Sequence, residues 1–258
     1  MGVVNVTPDS FSDGGRFLDP AAAIAHAYQL IEEGADLLDV GAESSRPGAA
    51  VVTAHEELRR LLPVLQGLRN AAVPVSVDTT KPEVMRAALA EGASMINDIN
   101  ALRAPAAFAA VAGTDAAVCL MHMQGAPDSM QQHPTYADVV AEVKAFLQER
   151  VRAATDAGIA RERIAIDPGF GFGKTLEHNL VLLRHLREFA ALGLPLLVGW
   201  SRKSSLGKIT GKPAGDRLAA SIATALIAAQ NGARILRVHD VAATRDALSV
   251  LTALEENS

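Results

Sequence analysis

Charged and amide side chains follow short apolar runs at several points of this 258-residue chain. Asp78 and Asp167 each close such a run, and Arg237 and His239 close the last one. Arg237 and His239 are two positions apart, so on an extended strand they point the same way. A carboxylate can accept the paired N–H donors of a flat heterocycle, and a cation can bind a phosphate group. The residue types therefore predict a shared site for a planar ring and a pyrophosphate, although Arg237 and His239 could also form structural ion pairs and Asp78 could pair with Lys81.

Two polar loops follow the first two apolar runs. Residues 5–15 hold two carboxylates, two serine hydroxyls and a glycine pair, and residues 43–48 place Arg46 beside the rigid Pro47. Such residues are suited to a mobile binding loop, and they are equally ordinary in a solvated surface loop. The residues alone leave both interpretations open.

Residues 167–174 place a carboxylate before three alternating glycines and two phenylalanines. Glycine permits close approach of the backbone, and a phenylalanine face can stack on a planar ring. The segment is not a phosphate-binding loop of the G-x4-G-K-[ST] type, because Pro168 stands five positions before Gly173. The chain also lacks a G-x-G-x-x-G dinucleotide motif. The segment thus indicates a ring-binding loop of another kind.

These groups need a scaffold that brings eight strand ends together. The apolar runs lie at residues 3–6, 37–40, 75–77, 95–99, 117–121, 164–166, 196–198 and 235–238. Helical patterns lie at residues 21–33, 54–70, 82–91, 105–112, 136–157, 176–192, 216–231 and 241–254. Strict alternation predicts an α/β protein with parallel strands, and eight units in one domain, 1–258, fit a closed (β/α)8 TIM barrel better than an open doubly wound sheet. The long loops follow the strands, so the active site is expected at the C-terminal ends of the strands.

The composition disfavours nucleic-acid-binding, membrane-spanning and disulfide-bonded classes of protein. The net charge is −5, which does not favour nucleic-acid binding, and no apolar stretch approaches the roughly 20 residues of a membrane span. The single cysteine, Cys119, rules out a disulfide within the chain and favours a cytoplasmic protein. The Ala-rich segment 218–229 is apolar around most of its circumference and predicts a homodimer, with packing inside its own barrel as the alternative.

The chain resembles the dihydropteroate synthases of the folate pathway, a family of pterin-binding TIM barrels, over essentially its whole length. The resemblance rests on segments that occur in the family's order: 5–15 (NVTPDSFSDGG), 45–48 (SRPG), 77–78 (VD) with 81–82 (KP), 96–99 (INDI), 121–124 (MHMQ), 167–174 (DPGFGFGK), 201–204 (SRKS) and 237–240 (RVHD). It implies that 6-hydroxymethyl-7,8-dihydropterin pyrophosphate condenses with p-aminobenzoate to give 7,8-dihydropteroate and pyrophosphate. It further implies a dissociative, SN1-like cleavage of the C–O bond and inhibition by sulfonamides.

The resemblance also implies roles for individual residues. The pterin set is Asp78, Asn97, Asp167 and Lys203, and the pyrophosphate set is Asn5, Arg237 and His239. Asn5 is the implied ligand of Mg2+. The p-aminobenzoate set is Phe11, Ser45, Arg46, Pro47, Phe172 and Ser204, with Lys203 beside it. The implied catalytic groups are Asp13, Lys203, Arg237 and His239, and p-aminobenzoate is expected to bind well only after pyrophosphate, Mg2+ and a pterin.

The chain departs from the family pattern at two places. Ser45 stands where most members have threonine, and the sequence begins at Met1-Gly2 where many members carry a short preceding segment, which leaves closure of the barrel's bottom face open. Three other functions remain as alternatives: a pterin-dependent methyltransferase, an aldolase that forms a Schiff base at Lys203, and a non-catalytic paralogue.

Overall fold

Eight short strands form the centre of the molecule in a computed structural model that describes residues 1–7, 19–44, 51–127 and 129–256. The strands are β1 Gly2–Asn5, β2 Leu38–Gly41, β3 Val75–Asp78, β4 Met95–Asp98, β5 Ala117–Met121, β6 Ile164–Asp167, β7 Leu197–Val198 and β8 Ile235–Leu236. Each apolar run of the sequence thus overlaps one strand. β7 and β8 are only two residues long and cover two of the three residues predicted at 196–198 and two of the four predicted at 235–238.

The strands pair in parallel and in chain order, and the circle closes. β1 to β6 form one continuous sheet, and β7 pairs with β8. A parallel bridge between Ile166 and Leu196 joins β6 to the β7 segment, and another between Gly2 and Val238 joins β1 to the β8 segment. The expected TIM barrel is therefore confirmed, and the open doubly wound sheet is excluded.

The seam between the last and first strands is made by the beginning of the chain. Val3 N donates to the carbonyl oxygen of Val238 at 3.0 Å, and Val238 N donates to that of Met1 at 3.0 Å. The amino terminus of Met1 also donates to Leu236 O at 3.0 Å. Met1 and Val3 thus supply the hydrogen bonds that close the barrel.

Ten α-helices surround the barrel within the described residues. They are α1 Pro20–Glu32, α2 Ala54–Gly67, α3 Pro82–Ala90, α4 Ala107–Val111, α5 Val139–Asp156, α6 Leu176–Arg184, α7 Leu186–Ala190, α8 Ser204–Thr210, α9 Leu218–Gln230 and α10 Val241–Glu256. The single helix predicted over residues 176–192 is wrong, because the helix ends at His185 and restarts at Leu186. Helix α8 was not predicted. None of the described helices is long and apolar enough to cross a membrane.

The barrel interior has an apolar lower layer and a polar upper layer. The lower layer contains Met95, Cys119, Ala165 and Leu197, packed with partly buried residues that include Leu37 and Ile235. Alternate residues of a strand share a face. Two positions after four of these apolar residues, on the same face, come the members of the polar layer: Asp39, Asn97, Asp167 and Arg237. The barrel therefore directs these polar side chains inward, near the C-terminal ends of its strands.

Candidate active site

Arg237 is the central cation of the polar layer. Its Nε donates to Asp39 Oδ2 at 2.6 Å, and its Nη2 donates to Asp78 Oδ2 at 3.1 Å. Burial opposes the charge of Arg237, but the two carboxylates overcome that effect and raise its pKa above the ordinary value. Burial raises the pKa of Asp78 to about 7, although Arg237 acts to lower it. The last strand is thereby joined across the barrel to the second and third.

Asp39 belongs to this site, although the sequence analysis did not identify it. Its side chain is 0% exposed, and its Oδ2 accepts from Asn97 Nδ2 at 3.1 Å as well as from Arg237. Its Oδ1 is buried with no hydrogen-bond partner among the described residues. The sequence signal that could have identified Asp39 is a carboxylate in the middle of an apolar run, on the same strand face as Gly41.

Asp167 and Lys203 form the opposite side of the site. Asp167 is buried, and its Oδ1 accepts from Gly169 N at 2.7 Å. Burial raises the pKa of Asp167 and lowers that of Lys203 to about 8. Lys203 Nζ donates to Phe170 O and lies 4.6 Å from the centroid of the Phe172 ring. A carboxylate and an ammonium group thus occur together beside an aromatic face.

The two phenylalanines of the glycine-rich loop have different roles. The expectation that both faces are available for stacking on a ligand is wrong for Phe170, which is 0% exposed and stacks on Trp200 with centroids 4.9 Å apart. Left-handed glycines at 169 and 171 turn the chain between the two side chains, so spacing alone does not give their directions. Phe172 is half-buried and packs near Met121, Met123 and Met130. It is therefore the aromatic side chain at the site.

The remaining predicted anion ligands lie at neighbouring strand ends. His239 Nδ1 is 3.0 Å from Ser201 Oγ, and the same oxygen accepts from His239 N at 3.2 Å. Asn5 ends β1 and pairs in register with Gly41, which has no side chain to fill the adjacent space. Ser204 is exposed at the first position of α8. The structure thus brings Ser201 to His239, an association that the sequence analysis did not predict.

Lys81 is not the partner of Asp78. Its Nζ lies 2.6 Å from Glu43 Oε2 and 2.6 Å from Glu57 Oε2. Glu43 Oε1 in turn accepts from Val52 N at 2.9 Å. The alternative pairing of Asp78 with Lys81 is therefore wrong, and Lys81 instead supports the base of the second loop.

Five predicted site residues lie outside the described residues. They are Phe11, Asp13, Ser45, Arg46 and Pro47. Their assignments remain predictions. The described part of the site combines carboxylates, an amide and two cations. These groups are the ones needed to hold a planar heterocycle beside an anion.

Comparison with known proteins shows what this arrangement resembles. Residues 1–239 match the family of pterin binding enzymes. The chain is 51% identical over 254 residues to a dihydropteroate synthase of Escherichia coli strain K12, covering 98% of this chain and 90% of that protein. The chain thus extends over nearly the full length of that relative.

Solved structures show the same likeness. The dihydropteroate synthase of Xanthomonas albilineans with 4-aminobenzoic acid is 56% identical with a TM-score of 0.93, over 98% of this chain and 92% of that one. The Yersinia pestis dihydropteroate synthase in complex with a sulfonamide drug is 47% identical with a TM-score of 0.95, over 99% of this chain and 93% of that one. The fold of this chain therefore follows that of proteins solved with 4-aminobenzoic acid or with a sulfonamide drug.

Proposed function

The chain belongs to the family of pterin-binding enzymes and is a dihydropteroate synthase, and from this premise we propose which residues carry its reaction. The reaction joins 6-hydroxymethyl-7,8-dihydropterin pyrophosphate to p-aminobenzoate and releases pyrophosphate. The observation that carries the assignment is the polar layer at the barrel's upper end, where Asp39 contacts Asn97 and Arg237, and Arg237 also binds Asp78. The methyltransferase, aldolase and non-catalytic alternatives have no comparable support.

The pterin ring binds to Asp167, Asn97, Asp78 and Lys203. Its 2-amino group and adjacent ring N–H form a guanidine-like donor pair, which a carboxylate can accept in bidentate fashion, and Asp167 takes that role in this proposal. Because Asn97 Nδ2 donates to Asp39, its Oδ1 is the atom that faces the ring N–H groups. Lys203 donates to the ring carbonyl.

Arg237, His239 and Asn5 bind the pyrophosphate. Arg237 has a guanidinium whose planar donors suit phosphate oxygens, and His239 stands two positions later at the same strand end. Mg2+ fits Asn5, because the ion keeps most of its waters and needs few protein oxygens beside those of a phosphate, and Asn5, half-buried at the end of β1, can supply one. When bound, Mg2+ would neutralise charge on the departing pyrophosphate.

The mechanism is dissociative. The C–O bond breaks with its electron pair leaving on pyrophosphate, where Arg237 and His239 stabilise the new charge. The resulting dihydropterin methylene cation is held by Asp167, with Asp13 assigned near it. The arylamine nitrogen then forms the C–N bond and releases a proton to solvent. Phe172, Lys203 and Ser204, with Phe11, Ser45, Arg46 and Pro47, hold p-aminobenzoate.

A pyrophosphate-release assay tests the reaction, and release should require both substrates. Asp167→Asn tests the site, because the amide presents a donor to the ligand's own donors. We expect pterin affinity to fall by about 2–5 kcal/mol, roughly 30- to several-thousand-fold. The matched control is Asp115→Asn, since Asp115 is exposed. A folded Asp167→Asn protein that binds the pterin within threefold of wild type in calorimetry would remove Asp167 from the site.

The proposal includes a cytoplasmic homodimer. Four of the eight exposed large apolar side chains among the described residues lie on the neighbouring helices α9 and α10: Leu218, Ile227, Val250 and Leu254. Val250 and Leu254 are 64% and 65% exposed. Exposed apolar side chains on two neighbouring helices favour a protein partner, and an identical chain supplies a self-complementary one.

Sedimentation at micromolar concentration tests the dimer. We expect twice the 27.0 kDa mass of one chain for the wild type and a shift towards one chain in the double variant Ile227→Lys/Val250→Lys. The control is Ile209→Lys, which alters an exposed apolar residue on α8. A single-chain mass for the wild type would contradict the dimer.

A further inference from the structure

Five consecutive backbone carbonyls of the glycine-rich loop are each bound by a side chain. The acceptors are the oxygens of residues 169–173, and the donors are in order Lys174, Lys203, Gln131, Lys174 and Tyr136. Carbonyls in a loop are ordinarily satisfied by water or by the backbone. Of the four donor residues two are lysines and two, Gln131 and Tyr136, carry neutral groups, and Gly169 O also accepts from Phe172 N at 3.1 Å.

Lys174 makes the largest share of these contacts. Its side chain is 3% exposed, and its Nζ lies 2.9 Å from Gly169 O, 2.9 Å from Phe172 O and 2.9 Å from His122 Nδ1. Burial lowers the pKa of Lys174 to about 7, and when its amine is charged the three N–H donors are shared among these three acceptors and His122 O, which lies 3.3 Å from Nζ. The third contact requires a lone pair on His122 Nδ1, and burial together with Lys174 lowers the pKa of His122 to about 3, which keeps the ring neutral.

The glycine-rich loop packs so closely against its neighbours that two of its glycines leave no space for a side chain. Gly169 and Gly173 have φ of +72° and +58°. A Cβ on Gly169 would lie 1.9 Å from His122 O, and a Cβ on Gly173 would lie 2.4 Å from Gln124 O. Lys174 therefore binds carbonyls of a loop that is already packed against the end of β5.

We propose that Lys174 is a positioning residue for the pterin site, which it serves by fixing the two carbonyls on either side of the segment that holds Lys203. This inference rests on the role proposed above for Lys203. The carbonyl of Phe170 and the ring of Phe172 contact Lys203, and Lys174 binds the carbonyls of Gly169 and Phe172. Lys203 meets the ligand from one side of the loop, and Lys174 holds the loop from the other.

The substitution Lys174→Met tests the proposal, because it keeps the length of the side chain and removes its donors. We expect pterin affinity to fall about 10- to 100-fold, as for the loss of hydrogen bonds to a charged group. Amide exchange, measured by mass spectrometry on folded protein, should rise in residues 169–173 and stay unchanged in the strands. The KM for dihydropterin pyrophosphate should rise more than kcat falls.

Three further variants separate the outcomes. Tyr136→Phe removes one neutral donor from Gly173 O and should weaken pterin binding by about 2- to 10-fold, which keeps the test decisive if Lys174→Met does not fold. Lys208→Met changes an exposed lysine and should bind as wild type. Lys203→Met should weaken pterin binding directly.

Each result then supports or overturns the inference. Weakened binding in the Lys174 and Tyr136 variants, with local exchange in the loop, supports it. If Lys203→Met weakens binding while both other variants stay within twofold of wild type, Lys174 is only structural and the proposed function stands. If Lys203→Met binds the pterin normally, the proposed role of Lys203 and the inference built on it are both overturned.

Discussion

Asp39 and Asp78 share the guanidinium of Arg237 but differ in their contact with water. Asp39 is 0% exposed, whereas the side chain of Asp78 is 22% exposed. Removal of one partner from a buried ion pair leaves a charge without compensation, and the cost grows with burial. Arg237 is therefore expected to depend more on Asp39.

We predict that Asp39→Asn lowers the free energy of unfolding by about 3 kcal/mol or more, and that Asp78→Asn lowers it by less. Asp39→Asn also disturbs the contact to Asn97. Urea denaturation of the two variants beside wild type measures the difference. An equal loss, or a larger one for Asp78→Asn, would show that Asp39 is not the main partner of Arg237.

Most site residues were predictable because they end their strands. Asp78, Asp167 and Arg237 were identified in this way, whereas Asn97 lies within its apolar run and its role came from the family resemblance. Asp39 was missed because it lies within an apolar run, and its role depends on Arg237, which is 198 positions away along the chain. Phe170 was misjudged because left-handed glycines reverse the side-chain direction that simple alternation suggests. Both errors concern where a side chain points, which spacing in a loop does not determine.

At the scale of elements, the glycine-rich loop offers a test with an internal control. Gly169 and Gly193 have nearly equal φ values of +72° and +70°, but a Cβ on Gly193 meets nothing within 4 Å. Gly193→Ala is expected to cost about 1–2 kcal/mol of unfolding free energy from its left-handed backbone alone. Gly169→Ala should cost more and should weaken pterin binding, because its Cβ would meet His122 O. Equal losses in denaturation would mean that the loop can move away from β5 without penalty.

Helix ends were predictable where a glycine follows the helix. Gly34, Gly92, Gly158 and Gly232 all have positive φ, as a left-handed C-terminal cap requires. In each case the next residue donates back to the helix, for example Ala35 N to Leu30 O at 2.9 Å. The break at His185 was not predictable, because the apolar spacing continues from α6 into α7 and no glycine or proline marks the interruption.

The whole molecule should lose stability in acid partly through His122. The folded-state pKa of about 3 lies below the ordinary value of 6.5, so below about pH 6.5 the unfolded chain takes up a proton that the folded chain does not. This contribution is present above pH 6.5 and is lost as the pH falls towards 3, at up to about 1.4 kcal/mol per pH unit.

We predict that His122→Asn makes the acid limb of the stability curve shallower. The asparagine oxygen can accept from Lys174 in place of Nδ1 but does not titrate. The difference in unfolding free energy between wild type and variant should shrink as the pH falls from 6.5 to 4. Asp98, whose pKa burial raises to about 6, titrates in both proteins and cancels in that difference. Parallel curves would show that His122 protonates as easily in the folded protein as in the unfolded one.

The barrel itself was predictable from the count and alternation of its elements. Eight apolar runs and the long loops after them specify a closed circle with one functional face. The short lengths of β7 and β8 were not predictable, because the apolar runs at 196–198 and 235–238 are no shorter than those at 75–77 and 164–166, where four-residue strands form. The seam between β8 and β1 depends on contacts of Met1 and Val3 with Val238, which are 235 or more positions away along the chain.

Because Arg237 is shared between two carboxylates, the binding of a ligand to Arg237 changes the number of protons that the enzyme carries. An anion that draws Arg237 away from Asp78 removes the cation that lowers the pKa of that carboxyl, which already stands at about 7. The pKa then rises, and at neutral pH Asp78 takes up part of a proton from the buffer. The heat of pyrophosphate binding should therefore vary with the ionisation enthalpy of the buffer, and the affinity should decline as the solution becomes more alkaline.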